Sequence, residues 1–165
     1  MSSYRSSLDA IEAFLAHKRF AMIGVSRESD SFSIALFREL CSRGYEVIPV
    51  NPLTPNVLGH PCFARVQDIH PPVEAALLMT SPAVTESIVA DCALAGIRSI
   101  WMYRATGQGA VNQKAVDFCR EHDIQVIPGE CPFMFLPHAS GIHRFHGFFR
   151  KLIGRYPGRT TDRPN

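Results

Sequence analysis

Four side chains near the end of the chain have the chemistry of a metal site or a catalytic centre. The stretch GECPFMFLPHASGIHRFHGFFRKL contains Cys131, His138, His143 and His146. A thiolate and imidazoles bind zinc, and a Cys–His pair can act as nucleophile and base. Their spacing matches no zinc signature, so we predict no metal and interpret Cys131 as a buried residue that ends a strand. The roles of the three histidines stay open.

A glycine turn early in the chain has the chemistry of phosphate binding. In MIGVSRESDSF an apolar run ends at Gly24, and Ser26 and Arg27 follow before a predicted helix. Backbone N–H groups at a helix N-terminus bind phosphate oxygens, and a guanidinium adds positive charge. The dinucleotide-binding pattern G-x-G-x-x-G is missing, because Ser26 stands at the second glycine position. A plain strand-to-helix turn therefore explains Gly24 equally well.

The end of the second predicted strand bears on the choice of nucleotide. NAD-binding domains place an Asp or Glu there to hold the ribose hydroxyls. This chain has Asn51-Pro52 at that point, and Glu46 lies at the opposite end of the strand. An arginine can replace the acid in NADP sites, but NPLTPNVLGHPC contains no Arg or Lys. These residues disfavour an NAD(P)-dependent oxidoreductase, which we keep as an alternative.

Alternating strand and helix patterns must position these residues. Five short apolar runs predict strands, and they are RFAMIGV, EVIPVNP, EAALLMTS, RSIWMYR and IQVIPGE. Their apolar residues do not alternate in and out, which is typical of parallel strands covered on both faces. We therefore predict an α/β, Rossmann-like fold with a doubly wound five-stranded parallel sheet in the order 3-2-1-4-5.

Helix signals flank these strands. SSLDAIEAFLA, capped by Ser6 or Ser7, predicts a helix before the first strand, and Ser81-Pro82 predicts a helix start after the third. GIHRFHGFFRKLIG predicts an added C-terminal helix, and residues 155–165 predict a flexible tail. We accordingly predict one domain over residues 1–154.

Composition limits the classes of partner. The 165 residues suit one domain, and a formal net charge of +2 gives no general case for nucleic acid. No apolar run approaches the ~18 residues that suggest a membrane-spanning helix, so we predict no membrane partner. The five scattered cysteines indicate reduced thiols and a cytoplasmic protein.

Several motifs together resemble the CoA-binding domain family. They are AMIGVSR, GYEVIPVNP, LGHPCF, SIWMYRATG and IQVIPGECP. Small single-domain members of that family resemble the N-terminal CoA-binding domain of the succinyl-CoA synthetase alpha subunit. The resemblance covers about residues 18 to 133. It implies coenzyme A lying across the first turn and the ends of the second and third strands.

The resemblance also implies binding residues, which share a position at strand ends. They are Gly24, Val25, Ser26, Arg27, Asn51, Pro52, Thr80, Ser81, Pro82 and Arg104. The first four would meet the CoA phosphates, the Asn-Pro pair would border the nucleotide, and the next three would line the third strand end. Arg104 adds a charge where many members have Trp-x-Gln-x-Gly, while Ser31-Phe32-Ser33 replaces a Lys-Phe-Gly-like stretch.

The predicted function is therefore binding of coenzyme A or an acyl-CoA without catalysis by this chain. The ligation chemistry of the family belongs to further domains and a phosphorylated histidine, and neither follows in this sequence. A homodimer or docking on a catalytic partner would both suit such a module. Besides the NAD(P)-binding oxidoreductase, a thiol-dependent enzyme that uses Cys131 on an acyl-CoA remains an alternative.

Overall fold

The computed structural model describes residues 6–105 and 107–137, in which strands alternate with helices. The strands are β1 (Arg19–Ile23), β2 (Glu46–Val50), β3 (Asn56–Val57), β4 (His60–Pro61), β5 (Ala75–Leu78), β6 (Ser99–Tyr103) and β7 (Gln125–Glu130). The helices are α1 (Leu8–Ala16), α2 (Phe32–Ser42), α3 (Pro82–Leu94) and α4 (Gln113–Glu121). Short 3-10 turns lie at Val66–Asp68 and Pro132–Met134.

Five strands form one parallel sheet in the order β2-β1-β5-β6-β7. Met22 of β1 lies between Pro49 of β2 and Leu77 of β5, which defines the register at the centre of the sheet. The strands β3 and β4 pair separately as a short antiparallel hairpin. Helices cover both faces of the sheet, so the predicted α/β, Rossmann-like, doubly wound fold is confirmed.

The strand order is not the predicted 3-2-1-4-5. The predicted third strand, β5, pairs with β1, so the order of the five predicted strands is 2-1-3-4-5. The place outside β2 is taken by a single residue, Phe63. Its N–H donates to the Pro49 carbonyl at 3.0 Å, and its carbonyl accepts from the Asn51 N–H at 2.9 Å.

Proline and burial explain this order. β2 and β7 contain Pro49 and Pro128, and both are edge strands of the sheet. A proline cannot donate to a strand ladder, which confines it to edges. All four residues of β5, AALL, are buried, as expected for a strand with a neighbour on each side. The predicted order followed the usual Rossmann arrangement and did not use these two signals.

Alternate residues of each strand enter two different cores. Phe20 and Met22 of β1 pack on the side of α1 and α2, whereas Ala21 and Ile23 pack on the side of α3 and α4. Consequently α2 leaves β1 toward one face and α3 leaves β5 toward the other. A crevice opens between neighbouring parallel strands whose following helices diverge in this way.

Local capping signals place the helix starts. The Ser7 hydroxyl accepts from the Ala10 N–H at 3.0 Å, so of the two predicted serines Ser7 caps α1. Ser81 is the N-cap of α3 and Pro82 its first residue, as predicted. Asn112 caps α4 through a 3.1 Å bond from the Ala115 N–H. The side chains of Ser7 and Asn112 thus satisfy donors that helix starts otherwise leave unpaired.

Several predictions fall beyond the described residues. They are the C-terminal helix over 141–154, the tail 155–165, and the positions of His138, His143 and His146. The domain extent 1–154 therefore stays a prediction. Among the helices that the structure describes, none has the length and apolar character needed to cross a membrane.

Trp101 anchors the core between the sheet and α1. Its side chain is fully buried, and its Nε1–H donates to the Glu130 backbone carbonyl at 2.9 Å. The Phe14 ring meets the indole edge-on, with ring centroids 5.3 Å apart. This side chain therefore links β6 to both the end of β7 and the N-terminal helix.

We expect Trp101→Phe to lower the free energy of unfolding by about 2–4 kcal/mol, because it removes a buried hydrogen bond and leaves a cavity. Urea unfolding followed by far-UV circular dichroism measures this change. The matched control is Leu94→Ala, at a side chain that is 82% exposed, with an expected change within about 0.5 kcal/mol. Equal effects of the two substitutions would contradict the anchoring role.

Candidate binding crevice at the carboxyl edge

The crevice lies where β1 and β5 end side by side. Gly24 follows β1 with a φ of +89°, a conformation that glycine adopts without strain. A methyl group added at Gly24 would lie 3.0 Å from Thr80 Cγ2 and 3.1 Å from the Met79 carbonyl group. The Gly24 N–H donates to the Val50 carbonyl of β2 at 3.0 Å. The structure thus brings the predicted residues Gly24 and Thr80 together.

Asn51 joins the end of β2 to the first turn. Its Nδ2 donates to the carbonyl of the buried residue Val25 at 2.8 Å, and its Oδ1 accepts from the Leu53 N–H at 2.8 Å. The side chain of Asn51 is therefore engaged at both ends by the backbone. Pro52, the next residue, is exposed at the rim. The predicted residues Val25, Asn51 and Pro52 lie together, because the Asn51 side chain bonds the end of β2 to the first turn at Val25.

Two backbone N–H groups of the first turn donate hydrogen bonds to serine hydroxyls. The Ser33 hydroxyl accepts from the Ser26 N–H at 2.9 Å and lies 3.2 Å from the Ser31 hydroxyl. The Ser26 hydroxyl accepts in turn from the Glu28 N–H at 3.0 Å. Two amides that a phosphate would use are thus already bonded within the protein. Sequence reasoning missed this role of Ser33, although a Ser-x-Ser pair at a helix start is a capping signal.

The remaining predicted residues around the crevice differ in exposure. Arg27 is exposed beside the first turn. The Thr80 hydroxyl lies 2.7 Å from the hydroxyl of the buried residue Thr85, which donates to the Ser81 carbonyl at 3.1 Å. Ser81 and Pro82 begin α3, and the Ser81 hydroxyl makes no capping bond to that helix. A helix start with this geometry presents backbone donors and a positive dipole end.

Arg104 lies apart from the first turn, just after β6. A methyl group added at Gly129 would come 2.8 Å from its Nε and 2.9 Å from its Cζ, so the guanidinium lies on the backbone of β7. A methyl group at Gly109 would lie 3.0 Å from the Arg104 Cβ and would also collide with the Tyr103 carbonyl. Both glycines have positive φ values, +90° and +57°. Arg104 therefore occupies a slot formed by two glycines.

An aromatic ledge, formed by Phe32, Tyr103 and Phe133, lies between the first turn and the ends of β6 and β7. The Phe32 ring stacks on the Tyr103 ring at 5.0 Å and meets the Phe133 ring edge-on at 5.6 Å. Burial raises the pKa of Tyr103 to about 12, and the nearby Cys131 adds to the rise. The Tyr103 phenol is therefore neutral at physiological pH, and the three rings of the ledge carry no charge.

Cys131 follows β7 and is 2% exposed. This burial agrees with the interpretation of Cys131 as the residue that ends a strand. The histidines proposed to act with it lie beyond the described residues, so their distance to its sulfur stays open. Within 6–105 and 107–137, no group of three or more His, Cys, Asp or Glu side chains is placed to hold a metal ion.

Two cavities lie away from this crevice. One of about 480 Å³ borders the outer side of β2, where Tyr45, His60 and Phe63 are among its lining residues. The other, of about 390 Å³, lies at the amino edge of the sheet, between Lys18 and Glu74. Neither includes a predicted binding residue.

We expect Gly24→Ala to lower the free energy of unfolding by about 2–4 kcal/mol, since it adds both backbone strain and contact with the end of β5. The control is Gly44→Ala, because Gly44 has a similar φ of +84° and an added methyl group there meets no described atom within 4 Å. We expect this control to lose about 1 kcal/mol. Chemical denaturation compares them, and equal losses would contradict the close approach.

Known proteins resemble this chain in sequence and in fold. The ADP-forming acetate–CoA ligase of Methanocaldococcus jannaschii is 20% identical over 127 residues, which are 74% of this chain and 18% of the ligase. The uncharacterized protein YneT of Bacillus subtilis is 25% identical over 126 residues, which are 76% of this chain and 90% of YneT. This chain therefore spans less than a fifth of the ligase and resembles most of YneT.

A solved structure shares the fold described above. It is a hypothetical protein from Pyrococcus horikoshii OT3, with a TM-score of 0.69 and 25% identity, covering 80% of this chain and 94% of that chain. A family model described as a CoA binding domain matches residues 18–137, which include the whole crevice and the slot of Arg104. The chain belongs to the CoA binding domain family.

Proposed function

We propose that this chain binds coenzyme A or an acyl-CoA across the carboxyl edge of its sheet, without catalysis of its own. The observation that carries the proposal is the coincidence of the family match over residues 18–137 with a crevice between β1 and β5. Ligands of doubly wound sheets bind at such switch points. Gly24 makes this crevice narrow, because its missing side chain lets the first turn approach Thr80.

The ligand would contact each strand end differently. Arg27 supplies positive charge, and the start of α3, from Ser81 and past Pro82, supplies a positive dipole end and the backbone N–H groups of the residues that follow the proline. Asn51 and Pro52 border the nucleotide at the end of β2. The Ser26 and Glu28 amides already donate to hydroxyls within the protein. We therefore expect charged side chains to contribute more to phosphate binding here than they do in a glycine-rich loop, whose amides are free.

The geometry of Asn51 favours coenzyme A over NAD. A dinucleotide site needs an acceptor for the ribose hydroxyls at the end of the second strand. Here Oδ1, the only acceptor atom of the Asn51 side chain, already accepts a hydrogen bond from the Leu53 N–H. The Nδ2 group donates to the Val25 carbonyl. A neutral amide already engaged by the backbone at both ends therefore stands where an NAD site has a carboxylate.

The biological setting follows from the relatives and the thiols. The chain spans 18% of the M. jannaschii ligase, so we propose that it either docks on a catalytic partner or forms a homodimer. The five cysteines are reduced, which supports a reducing location such as the cytoplasm.

Isothermal calorimetry with CoA, acetyl-CoA, NAD, NADP and ATP tests the main proposal. We expect binding of CoA or acetyl-CoA and a matching rise in thermal stability, because a ligand that binds only the folded state stabilises it. Binding of NAD or NADP by a folded sample that does not bind either CoA form would overturn the proposal.

We expect Ser26→Asp to weaken CoA binding by about tenfold or more, because it places a negative charge beside the phosphates. The control is Ser42→Asp, which makes the same charge change at the other end of α2, where Ser42 is exposed. Calorimetric titration of both variants measures the ratio of dissociation constants. Equal affinities would exclude the first turn as the phosphate site.

A further inference from the structure

Arg104 differs from other arginines of the chain in its surroundings. It is half-buried, whereas Arg27, Arg38 and Arg98 are exposed. Arg19 donates to Glu46 and to backbone carbonyls. Within residues 6–105 and 107–137, by contrast, no acceptor is bonded to the Arg104 guanidinium. A guanidinium partly withdrawn from water without an acceptor is costly, so its environment suits an anion that arrives with a ligand.

The slot of Arg104 is built to hold this charge in place. Gly129 lies beneath the guanidinium, and Gly109 lies against the Arg104 Cα and Cβ. The Ala110 N–H donates to the Tyr103 carbonyl at 2.8 Å, which fixes Ala110 at the end of β6 next to Gly109. The arginine is therefore oriented before any ligand binds, and an oriented guanidinium favours planar, bidentate anions such as carboxylates.

The slot of Arg104 lies on the side of the sheet where the pantetheine half of the proposed ligand would reach. In doubly wound folds the adenosine half lies toward the second strand, which here is β2 on the far side of β1. The pantetheine arm would then cross β5 toward β6 and β7. Two to three strand spacings separate the first turn from Arg104, about 10–14 Å. The aromatic ledge of Phe32, Tyr103 and Phe133 lies between these two points and offers apolar contacts to the pantetheine arm.

We infer that Arg104 binds a carboxylate at the far end of the acyl group, so that the chain prefers CoA thioesters of dicarboxylic acids. This inference rests on the proposed function and deepens it, since it names the ligand class of the same edge. The contact is a non-covalent pair between the guanidinium and the carboxylate. Thioesters with a neutral acyl end leave the guanidinium unpaired and bind more weakly.

Matched pairs of thioesters test the inference on the full chain. Malonyl-CoA and propionyl-CoA differ by a carboxylate in place of a methyl group, as do succinyl-CoA and butyryl-CoA. We expect the wild-type chain to bind at least one carboxylate member about tenfold or more tightly than its neutral partner. Arg104→Gln should abolish that preference while preserving affinity for free CoA and the neutral thioesters.

Two further variants serve as controls. Arg98→Gln makes the same charge change at the opposite end of β6, where Arg98 is exposed, and should keep the wild-type preference. Arg104→Lys keeps the charge without the planar fork and should retain part of the preference. Far-UV circular dichroism and thermal unfolding confirm that each variant is folded.

The outcomes separate this inference from the proposed function. Binding of CoA without any preference for carboxylate thioesters, or a preference that survives in Arg104→Gln, overturns the inference alone. A uniform loss of affinity for free CoA and all thioesters in Arg104→Gln means that the guanidinium meets a phosphate, which also overturns it. A folded wild-type chain that binds no CoA form overturns the proposed function and the inference together.

Discussion

The contact between Gly24 and the end of β5 is the constraint on which the crevice depends. Thr80 and the Met79 carbonyl lie where a side chain at position 24 would project, so any residue other than glycine would push the two strand ends apart or strain the turn. The Gly24 N–H also binds the Val50 carbonyl of β2, which joins three strand ends at one point. Because α2 and α3 then leave toward opposite faces, this contact lies at the base of the crevice.

In the first turn, backbone N–H groups that could bind a ligand instead form hydrogen bonds within the protein. A glycine-rich loop leaves its amides free for phosphates, whereas here the Ser33 hydroxyl binds the Ser26 amide and Asn51 binds the Val25 carbonyl. Such bonds hold the turn in one conformation and reduce the number of backbone groups available to a ligand. Positive charge at the carboxyl edge then comes from side chains at two distant points, the exposed Arg27 and the slotted Arg104.

The same unit of structure occurs in proteins of very different length. It spans 18% of the M. jannaschii ligase but matches 90% of YneT and 94% of the P. horikoshii structure. A sheet with helices on both faces buries its own core and requires no neighbouring domain for that purpose. Packing alone therefore permits the unit to stand by itself or within a larger enzyme.

The sequence by itself determined the features that depend on local signals. Apolar runs of strand length predicted five strands, Ser6 or Ser7 and Ser81-Pro82 predicted helix starts, and Gly24 predicted a tight turn after the first strand. Only the tertiary structure decided the strand order, the bond between Asn51 and Val25, and the slot in which Arg104 lies against Gly129. Buried strands of similar composition can pair in several orders, and these contacts join residues that are far apart along the chain. Such choices depend on which packing fills both cores; among the local signals, the prolines of β2 and β7 favour edge positions but do not fix the complete order.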